Sequence, residues 1–269
     1  MGKRVHECEA AFGLEGAPLL ATGTHQIDEI ELSGPPDTVV IRALATGVAN
    51  GLRTEESRAF EGRSLRQLAE EIASRRGLSL VGEVPDLRFQ RRTQWRETDL
   101  AFLNRVGWEQ GVVFSVRGGL LVWHELERLD GALAALVVRK DQCTSYHLRD
   151  VVSRASAGAS ASYFDLDRKE LVESQARAQG RKEGDVHRLR RRVEDQAQVH
   201  RMVRQALRQE HGWDKEQSLV MPGDRRVRAG VNIELQGFHA LDGLWQVTRA
   251  RHVASGEGWK VEPTLRRLA

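Results

Sequence analysis

The chain has 269 residues, of which 40% are hydrophobic and 29% charged, and its formal net charge is +3 at pH 7. This length allows one large core or two modest ones, and the composition excludes a disordered or fibrous chain. No apolar run is long enough to span a bilayer. The first residues lack the apolar segment of a signal peptide, so we expect the protein to act without secretion by the general export route.

The first predicted elements in chain order are two strands joined by a turn. Residues 24–32 and 38–45 have strand-like apolar patterns. Between them, Gly34, Pro35 and Pro36 favour a turn, because proline fixes φ and glycine accepts positive φ. We therefore predict an antiparallel pair of strands here.

Residues 64–76 form the clearest predicted helix of the first half. Ser64 and Gln67 have the spacing of a capping box, and Gly77 follows as a terminator. The apolar residues recur at helical spacing and predict one buried face. That face consists of Leu65, Leu68, Ala69, Ile72 and Ala73.

A second helix and a hairpin follow. Thr98 is a predicted N-cap, and Leu100, Leu103 and Val106 recur at helical spacing behind it. Gly111 suits the left-handed end of this helix. The Gly-Gly pair inside residues 112–123 predicts a two-residue hairpin turn. Residues 60–125 thus predict a compact α+β unit.

The second half predicts further strands and one long helix. Residues 174–187 are polar and predict an exposed loop, and residues 190–211 predict an amphipathic helix. The predicted strands cover residues 132–140, 147–154, 156–162, 217–220, 230–235 and 244–252.

This order favours an α+β fold with barrel-like antiparallel β domains over a doubly wound sheet. We predict three parts: residues 1–58 as a first β-barrel part, residues 59–128 as an inserted α+β unit, and residues 129–269 as a second β-barrel domain that contains the long helix.

Residues that could carry chemistry are scattered. The chain has no GxSxG, HExxH, Walker-type or GxGxxG motif. Cys8 and Cys143 are far apart in the sequence and predict free thiols. Asp165 and Asp167 lack the further ligands of an oxygen cage. The pairs Glu55-Glu56 and Glu70-Glu71 could in principle supply an acid and a base. We predict no enzyme, no cofactor, and no catalytic or metal-binding residue.

An arginine-rich cluster begins at Arg181 and ends at Arg192. Its arginines could follow phosphates, but acidic residues interrupt them and no aromatic residue offers base stacking. A solvated loop and helix start is the favoured interpretation. A charged contact with another subunit and nucleic-acid binding remain open as alternatives.

Four segments together resemble a known family. They are residues 27–38 (IDEIELSGPPDT), residues 64–69 (SLRQLA) with residues 72–73 and 77–78, residues 97–103 (ETDLAFL) with residues 118–121 (GGLL), and residues 242–248 (DGLWQVT) with His252 and Gly258. Because these four segments occur in this order, the chain resembles the late control gene D proteins of contractile-tailed phages, which are baseplate hub proteins. The same fold occurs in the hub part of type VI secretion spike proteins.

The resemblance implies a structural protein without catalytic residues or cofactors. It implies a homotrimeric ring, with two β-barrel domains per subunit, that joins the sixfold tail tube to the threefold central spike. The implied partners are further copies of the chain, the tail tube protein, the central spike protein, baseplate wedge proteins and the tape measure protein, with no membrane, and with DNA only as cargo. The implied location is the virion tail baseplate, after assembly in the host bacterial cytoplasm.

A closed ring needs contacts between two different surfaces of one chain. We expect them at exposed strand edges, with Val39, Ile41 and Leu44 in one strand and Val231, Ile233 and Leu235 in another. Fewer residues precede Gln26 here than in members of the resembling family. This difference predicts that the first barrel is reduced or is completed by a strand from a partner.

Two other functions are considered. The first alternative is a nucleic-acid-binding regulator that uses the arginine-rich cluster, and the second is a cell-wall hydrolase on the tail tip.

Overall fold

The computed structural model describes residues 7–13, 16, 18–45, 54–149, 158–165, 169–177, 186–189, 196–212 and 217–268. The chain divides into two compact units. The first contains Met1–Trp108 and Val112–Glu125, and the second contains Glu109–Gly111 and Leu126–Ala269. The predicted boundary after residue 58 is not found, because a continuous strand, Glu55–Ser64, runs through it. The division into two β-barrel domains stays a prediction.

The first unit begins with a three-stranded antiparallel sheet. Its strands are β1 (Glu7–Phe12), β2 (Leu20–Ser33) and β3 (Thr38–Ala45), paired in that order. The predicted hairpin is confirmed, since β2 and β3 pair along the whole of β3. β2 is longer than predicted because its first residues pair with β1, which the sequence pattern did not predict.

The rest of the first unit is an α+β arrangement. Its elements are β4 (Glu55–Ser64), α1 (Leu65–Arg75), β5 (Ser79–Gly82), β6 (Arg88–Thr98), α2 (Asp99–Glu109), β7 (Val112–Arg117) and β8 (Leu120–Glu125). β4 pairs with β6, and β5, β8 and β7 form a second sheet in that order. The helices and the Gly-Gly hairpin were predicted, whereas the β4–β6 pair was not.

Helix α1 begins and ends as the sequence predicts. The Gln67 N–H donates to Ser64 Oγ (3.2 Å), and the Ser64 N–H donates to Gln67 Oε1 (3.0 Å), which completes the capping box. Gly77 has φ +67°, the left-handed conformation that ends a helix. All five residues of the predicted apolar face are buried.

The core of the first unit forms between both helices and the sheets around them. Its largest side chains are aromatic, and the rings of Phe60 and Phe102 stack at 5.3 Å between centroids. Thr98 caps α2 as predicted, since the Ala101 N–H donates to its hydroxyl (3.1 Å). The buried apolar residues are Phe60, Leu65, Leu68, Ala69, Ile72, Ala73, Leu78, Val84, Phe89, Phe102, Leu103, Val106, Val112, Leu121 and Trp123.

The second unit contains two sheets and one long helix. Its elements are α3 (Leu126–Asp130), β9 (Ala134–Arg139), β10 (Ser145–His147), β11 (Gly158–Asp165), β12 (Glu170–Arg177), β13 (Val186–Leu189), α4 (Gln196–Gly212), β14 (Ser218–Pro222), β15 (Asn232–Gln236), β16 (Gly243–Ser255) and β17 (Gly258–Arg267). The larger sheet has the order β10-β14-β17-β16-β15-β9, and the smaller one β12-β11-β13. Both are antiparallel except for the parallel pairs β9–β15 and β11–β13.

Two predicted elements of this unit need correction. Residues 174–187 were predicted as a loop, but β12 extends to Arg177 and β13 begins at Val186. Backbone pairing with β11, rather than apolar content, makes these polar segments strands. The strand predicted over residues 147–154 ends at His147, and residues 150–154 lie outside the described residues.

A buried polar cluster holds the end of α3 against the large sheet. Asn232 Nδ2 donates to the carbonyl oxygens of Leu129 (2.8 Å) and Ala132 (2.8 Å). The Arg266 guanidinium pairs with Asp130 and donates to Gln246 Oε1 (2.7 Å). These contacts satisfy the polar groups that the sheet buries at this position.

Candidate functional site

One face of the β2–β3 hairpin consists of large aliphatic side chains. In the register of the two strands, Ile30 lies opposite Ile41 and Leu32 lies opposite Val39. Opposite residues, and residues two apart along a strand, point to the same side of a sheet. These four side chains are between 54% and 74% exposed. We call this surface the hairpin face, and an exposed apolar surface of this kind is typical of an interaction site.

The other side of the hairpin is charged. Glu29 lies opposite Arg42, and Arg42 Nη1 is 2.5 Å from Glu29 Oε2 and 3.5 Å from Glu31 Oε2. All three side chains are more than half exposed, so each pair contributes only about 0–1 kcal/mol. The hairpin is therefore amphipathic, with its charged side suited to water and its apolar side suited to a protein partner.

Strand β3 also offers a backbone edge. It is the last strand of its sheet, and within the described ranges no other strand pairs with its outer edge. Its eight residues contain neither proline nor lysine, which commonly protect edge strands from pairing. The predicted candidates Val39 and Ile41 lie on the hairpin face, whereas Leu44 lies on the Arg42 side and is half-buried.

The second predicted group of interface residues does not lie at a strand edge. β15 pairs with β16 on one side and with β9 on the other, so both of its backbone edges are used within the chain. Ile233 and Leu235 are fully buried in the core of the second unit, and Val231 packs against that core. The expectation of an exposed edge at Val231, Ile233 and Leu235 is therefore wrong.

Trp95 is a surface feature that the sequence analysis missed. It is 72% exposed and lies at a bulge, where Trp95 and Arg96 of β6 together oppose Ser57 of β4. Arg96 has φ +48°, and its backbone N–H donates to Ser57 Oγ (3.1 Å). A bulge redirects side chains, and strained backbone of this type is concentrated at functional sites. A tryptophan within the polar run of residues 93–97 was the available signal.

A buried carboxylate anchors the strand behind Trp95. Asp99 is fully buried and accepts hydrogen bonds from Arg76 Nε (2.7 Å) and Gln94 Nε2 (3.0 Å). Gln94 Nε2 also donates to the Glu97 carbonyl (2.9 Å). These bonds hold the end of β6 against the start of α2. The polar residues Gln94 and Asp99 therefore have a structural role. The residues on either side of Trp95, Gln94 and Arg96, are thus each held by a hydrogen bond.

One glutamate of each pair considered for catalysis takes part in an ion pair. Glu56 accepts a hydrogen bond from Arg76 Nη2 (2.5 Å) and pairs with Arg58. Glu70 pairs with Arg66 one helical turn away (3.3 Å). Within the part of the chain that the structure describes, no three His, Cys, Asp or Glu residues are grouped so that they could hold a metal ion.

Two further titratable groups have shifted pKa values. Hydrogen bonds from Arg226, including Nη2 to Oδ2 at 2.6 Å, lower the pKa of Asp224 and keep it ionised. Burial, with a smaller effect of Asp141, raises the pKa of the Cys143 thiol and keeps it protonated. Cys8 and Cys143 are free thiols, as predicted.

Several predicted positions lie outside the described residues. They include Asp167 and both ends of the arginine-rich cluster, Arg181 and Arg192. The side chains of Asp165 and Arg188 are likewise not described. Across the described helices, none is both long enough and apolar enough to cross a membrane.

Sequence comparison identifies two related phage proteins. A "Probable baseplate hub protein" of Escherichia phage 186 is 29% identical over 114 residues, which are 42% of this chain and 29% of that protein. The protein of the same name from Escherichia phage P2 is 28% identical over 114 residues, covering 42% of this chain and 30% of that protein. The match thus spans less than a third of each relative. A scan against protein-family profiles finds no match.

Structural comparison extends the similarity to nearly the whole chain. The 43 kDa tail protein of prophage MuSo2 from Shewanella oneidensis superposes with a TM-score of 0.70 at 14% identity, covering 96% of this chain and 83% of that one. The E. coli c3393 protein, a type VI secretion component similar to T4 tail proteins gp27 and gp5, gives a TM-score of 0.52 at 13% identity, covering 96% of this chain and 63% of that one.

None of these similar proteins is named as an enzyme. At these identities, the structural likeness shows the fold alone. The predicted resemblance to phage baseplate hub proteins is confirmed. The fold is the predicted α+β fold, and it is shared with phage tail and type VI secretion proteins.

Proposed function

We propose that this chain is a structural hub protein of a phage tail baseplate or of a phage-like contractile injection system. The observation that carries the proposal is the hairpin face, which exposes four large aliphatic side chains beside an open strand edge. Such a surface needs a protein partner, and the tail-hub fold indicates the kind of assembly that provides one. Similarity to two baseplate hub proteins supports the same role.

The assembly is a homotrimeric ring that joins the sixfold tail tube to the threefold central spike. Its partners are neighbouring copies, the tail tube protein, the central spike protein, the baseplate wedge proteins and the tape measure protein, and DNA passes through it only as cargo. The ring is located in the virion baseplate after assembly in the host bacterial cytoplasm. A ring of identical subunits requires a contact between two different surfaces of the chain. The edge strands β1 and β3 offer two such surfaces, one on each side of their sheet.

The first test is the mass of the purified chain at micromolar concentration. Sedimentation equilibrium should give three times the chain mass of 30.2 kDa. The double variant Ile30→Ser/Ile41→Ser should sediment as a monomer, because it removes apolar area from the hairpin face. The matched control Glu31→Gln changes the charged side of the same strand and should remain trimeric.

The second test is the position of the chain in a particle. Cryo-electron microscopy of assembled tails should place it on the tail axis, between the tube and the spike. A chain that sediments as a monomer, or a particle that carries the protein away from the axis, contradicts the proposal.

A further inference from the structure

Residues 55–117 repeat one structural plan after 34 positions. Ser64 caps α1 and Thr98, 34 positions later, caps α2, and each hydroxyl accepts the backbone N–H of the third residue after it. Both helices contain 11 residues. Gly77 follows α1 with φ +67°, and Gly111, again 34 positions later, follows α2 with φ +72°. The segments β4-α1-β5 and β6-α2-β7 therefore share the start, the length and the end of their helix.

The same shift relates the left-handed and the buried positions. Apolar residues recur every three or four positions in any amphipathic helix, so matching apolar faces alone would fit several shifts. The left-handed backbone at Gly62 and Arg96, with φ +59° and +48°, fixes the shift together with the caps. At this shift, five buried residues each have a buried counterpart: Leu68 and Phe102, Ala69 and Leu103, Ile72 and Val106, Ala73 and Gly107, and Leu78 and Val112.

The pairing of β4 with β6 shows that the two segments are related by a twofold axis. In a twofold arrangement, when one residue contacts a second, the counterpart of the second contacts the counterpart of the first. The register pairs at the centre of this ladder are Arg58–Gln94, Ala59–Thr93 and Phe60–Arg92. The shift converts the first pair into the third, and Thr93 is itself the counterpart of Ala59. The axis therefore passes between Ala59 and Thr93.

The sheet formed by β5, β8 and β7 obeys the same relation. Val81 of β5 and Ser115 of β7 are 34 positions apart, and both lie opposite Val122 of β8. β5 runs parallel to β8 and β7 runs antiparallel to it, as a twofold axis through the central strand requires. Two separate sets of strand pairs thus give one shift, which helix periodicity does not explain.

We propose that β4-α1-β5 and β6-α2-β7 are equivalent halves of an internally twofold unit, in which each half is the binding partner of the other and β8 is shared. The equivalence distinguishes residues that a half needs from residues that only one half has. Trp95 stands where the first half has Glu61, and Asp99 stands where it has Leu65. Trp95, which is 72% exposed, is therefore a surface residue that the fold does not require.

An exchange of core side chains between the helices tests the equivalence in the full chain. Three core residues of α1 take the identities of their counterparts in α2 and the reverse, whereas the control redistributes the same six side chains out of register. The exchange is Leu68→Phe/Ala69→Leu/Ile72→Val/Phe102→Leu/Leu103→Ala/Val106→Ile, and the control is Ala69→Val/Ile72→Phe/Phe102→Ile/Val106→Ala. Cores tolerate redistribution where volume and pattern are kept, so we expect the exchange to lower the urea midpoint by no more than about 1 M.

The control changes fewer positions but should lower the urea midpoint by roughly twice as much, because its large side chains occupy places that fit small ones. Both variants are measured under conditions in which the chain is monomeric, so the result does not depend on the proposed ring. An exchange variant that is more stable than the control supports the equivalence of the halves. One that is no more stable than the control overturns it.

A surface exchange tests the assignment of Trp95. The variant Glu61→Trp/Trp95→Glu exchanges the residues that precede the two left-handed positions. It should leave the urea midpoint within about 0.3 M of the parent, because the same backbone carries either residue. A larger loss would show that the fold needs the tryptophan at position 95, and would overturn this assignment.

Discussion

Helix α1 and the β2–β3 hairpin each have one apolar face, but only the helix buries its face within the chain. The five apolar residues of α1 are buried in the core of the first unit. The four aliphatic residues of the hairpin face are more than half exposed. Both faces follow the spacing expected for their type of secondary structure.

The difference shows what periodicity does and does not determine. Spacing identifies the side of an element that avoids water, because side chains on that side recur at the period of the backbone. It does not identify the partner that covers that side, because a partner from the same chain and one from another chain remove the same apolar area from water. Four substitutions test this comparison.

The largest effect is expected for Leu68→Ala in α1. Leu68 is fully buried, so its truncation leaves a cavity and should lower the free energy of unfolding by about 2–5 kcal/mol. Urea denaturation measures this loss, which should not depend on protein concentration. A loss below about 1 kcal/mol would show that the site collapses around the cavity or that α1 is not packed as described.

The next effect is expected for Asp99→Ala. The substitution leaves Arg76 and Gln94 without their shared acceptor and should cost about 1–3 kcal/mol in urea denaturation. Asp99→Asn is the control, because its amide oxygen can still accept one hydrogen bond and should retain part of the stability. Equal losses in both variants would contradict a role for these hydrogen bonds.

A smaller effect is expected for Ser64→Ala. It removes the hydroxyl that accepts the Gln67 N–H and should lower the free energy of unfolding by about 1 kcal/mol. Ser64→Asp keeps a capping oxygen and should unfold at nearly the parent urea concentration. If both variants lose stability equally, the cap is not the cause.

The smallest effect on folding is expected for Leu32→Ala, the same substitution as in α1 but on the hairpin face. Under conditions in which the chain is monomeric, it should change the free energy of unfolding by no more than about 0.5 kcal/mol. At concentrations that favour assembly it should lower the apparent stability, because binding stabilises only the folded state. A large loss of unfolding free energy in the monomer would instead show that Leu32 packs against residues of its own chain.

The sequence analysis succeeded where contacts are local. The capping box of Ser64 and Gln67, the Thr98 cap and the Gly-Gly hairpin depend on residues within a few positions of one another. It failed where distant segments pair. β9 closes the outer edge of β15, although about a hundred residues separate them, and no local pattern indicates such a pair.

The candidate site divides in the same way. Val39 and Ile41 were predicted at an exposed strand edge, and the structure places both side chains, exposed, on the hairpin face. Their role in an interface stays a prediction. Trp95 was missed because its projection depends on a bulge set by Ser57, which lies well before it in the sequence. The buried hydrogen bond between Gln94 of β6 and Asp99 of α2 was also missed, because the sequence analysis considered only the apolar face and the cap of this helix.

From its residues alone, the chain specifies an α+β fold, the ends of its helices, the hairpins and the apolar side of each element, because these depend on backbone geometry and on neighbours a few residues away. The tertiary structure decides which apolar faces are covered and which strand edges stay open. Ile233 is buried and Ile41 is exposed although both lie in apolar strands, because Ile233 packs in the core of the second unit, whereas Ile41 lies on the exposed hairpin face. Burial is a property of the whole packed chain, and so is the surface left for a partner.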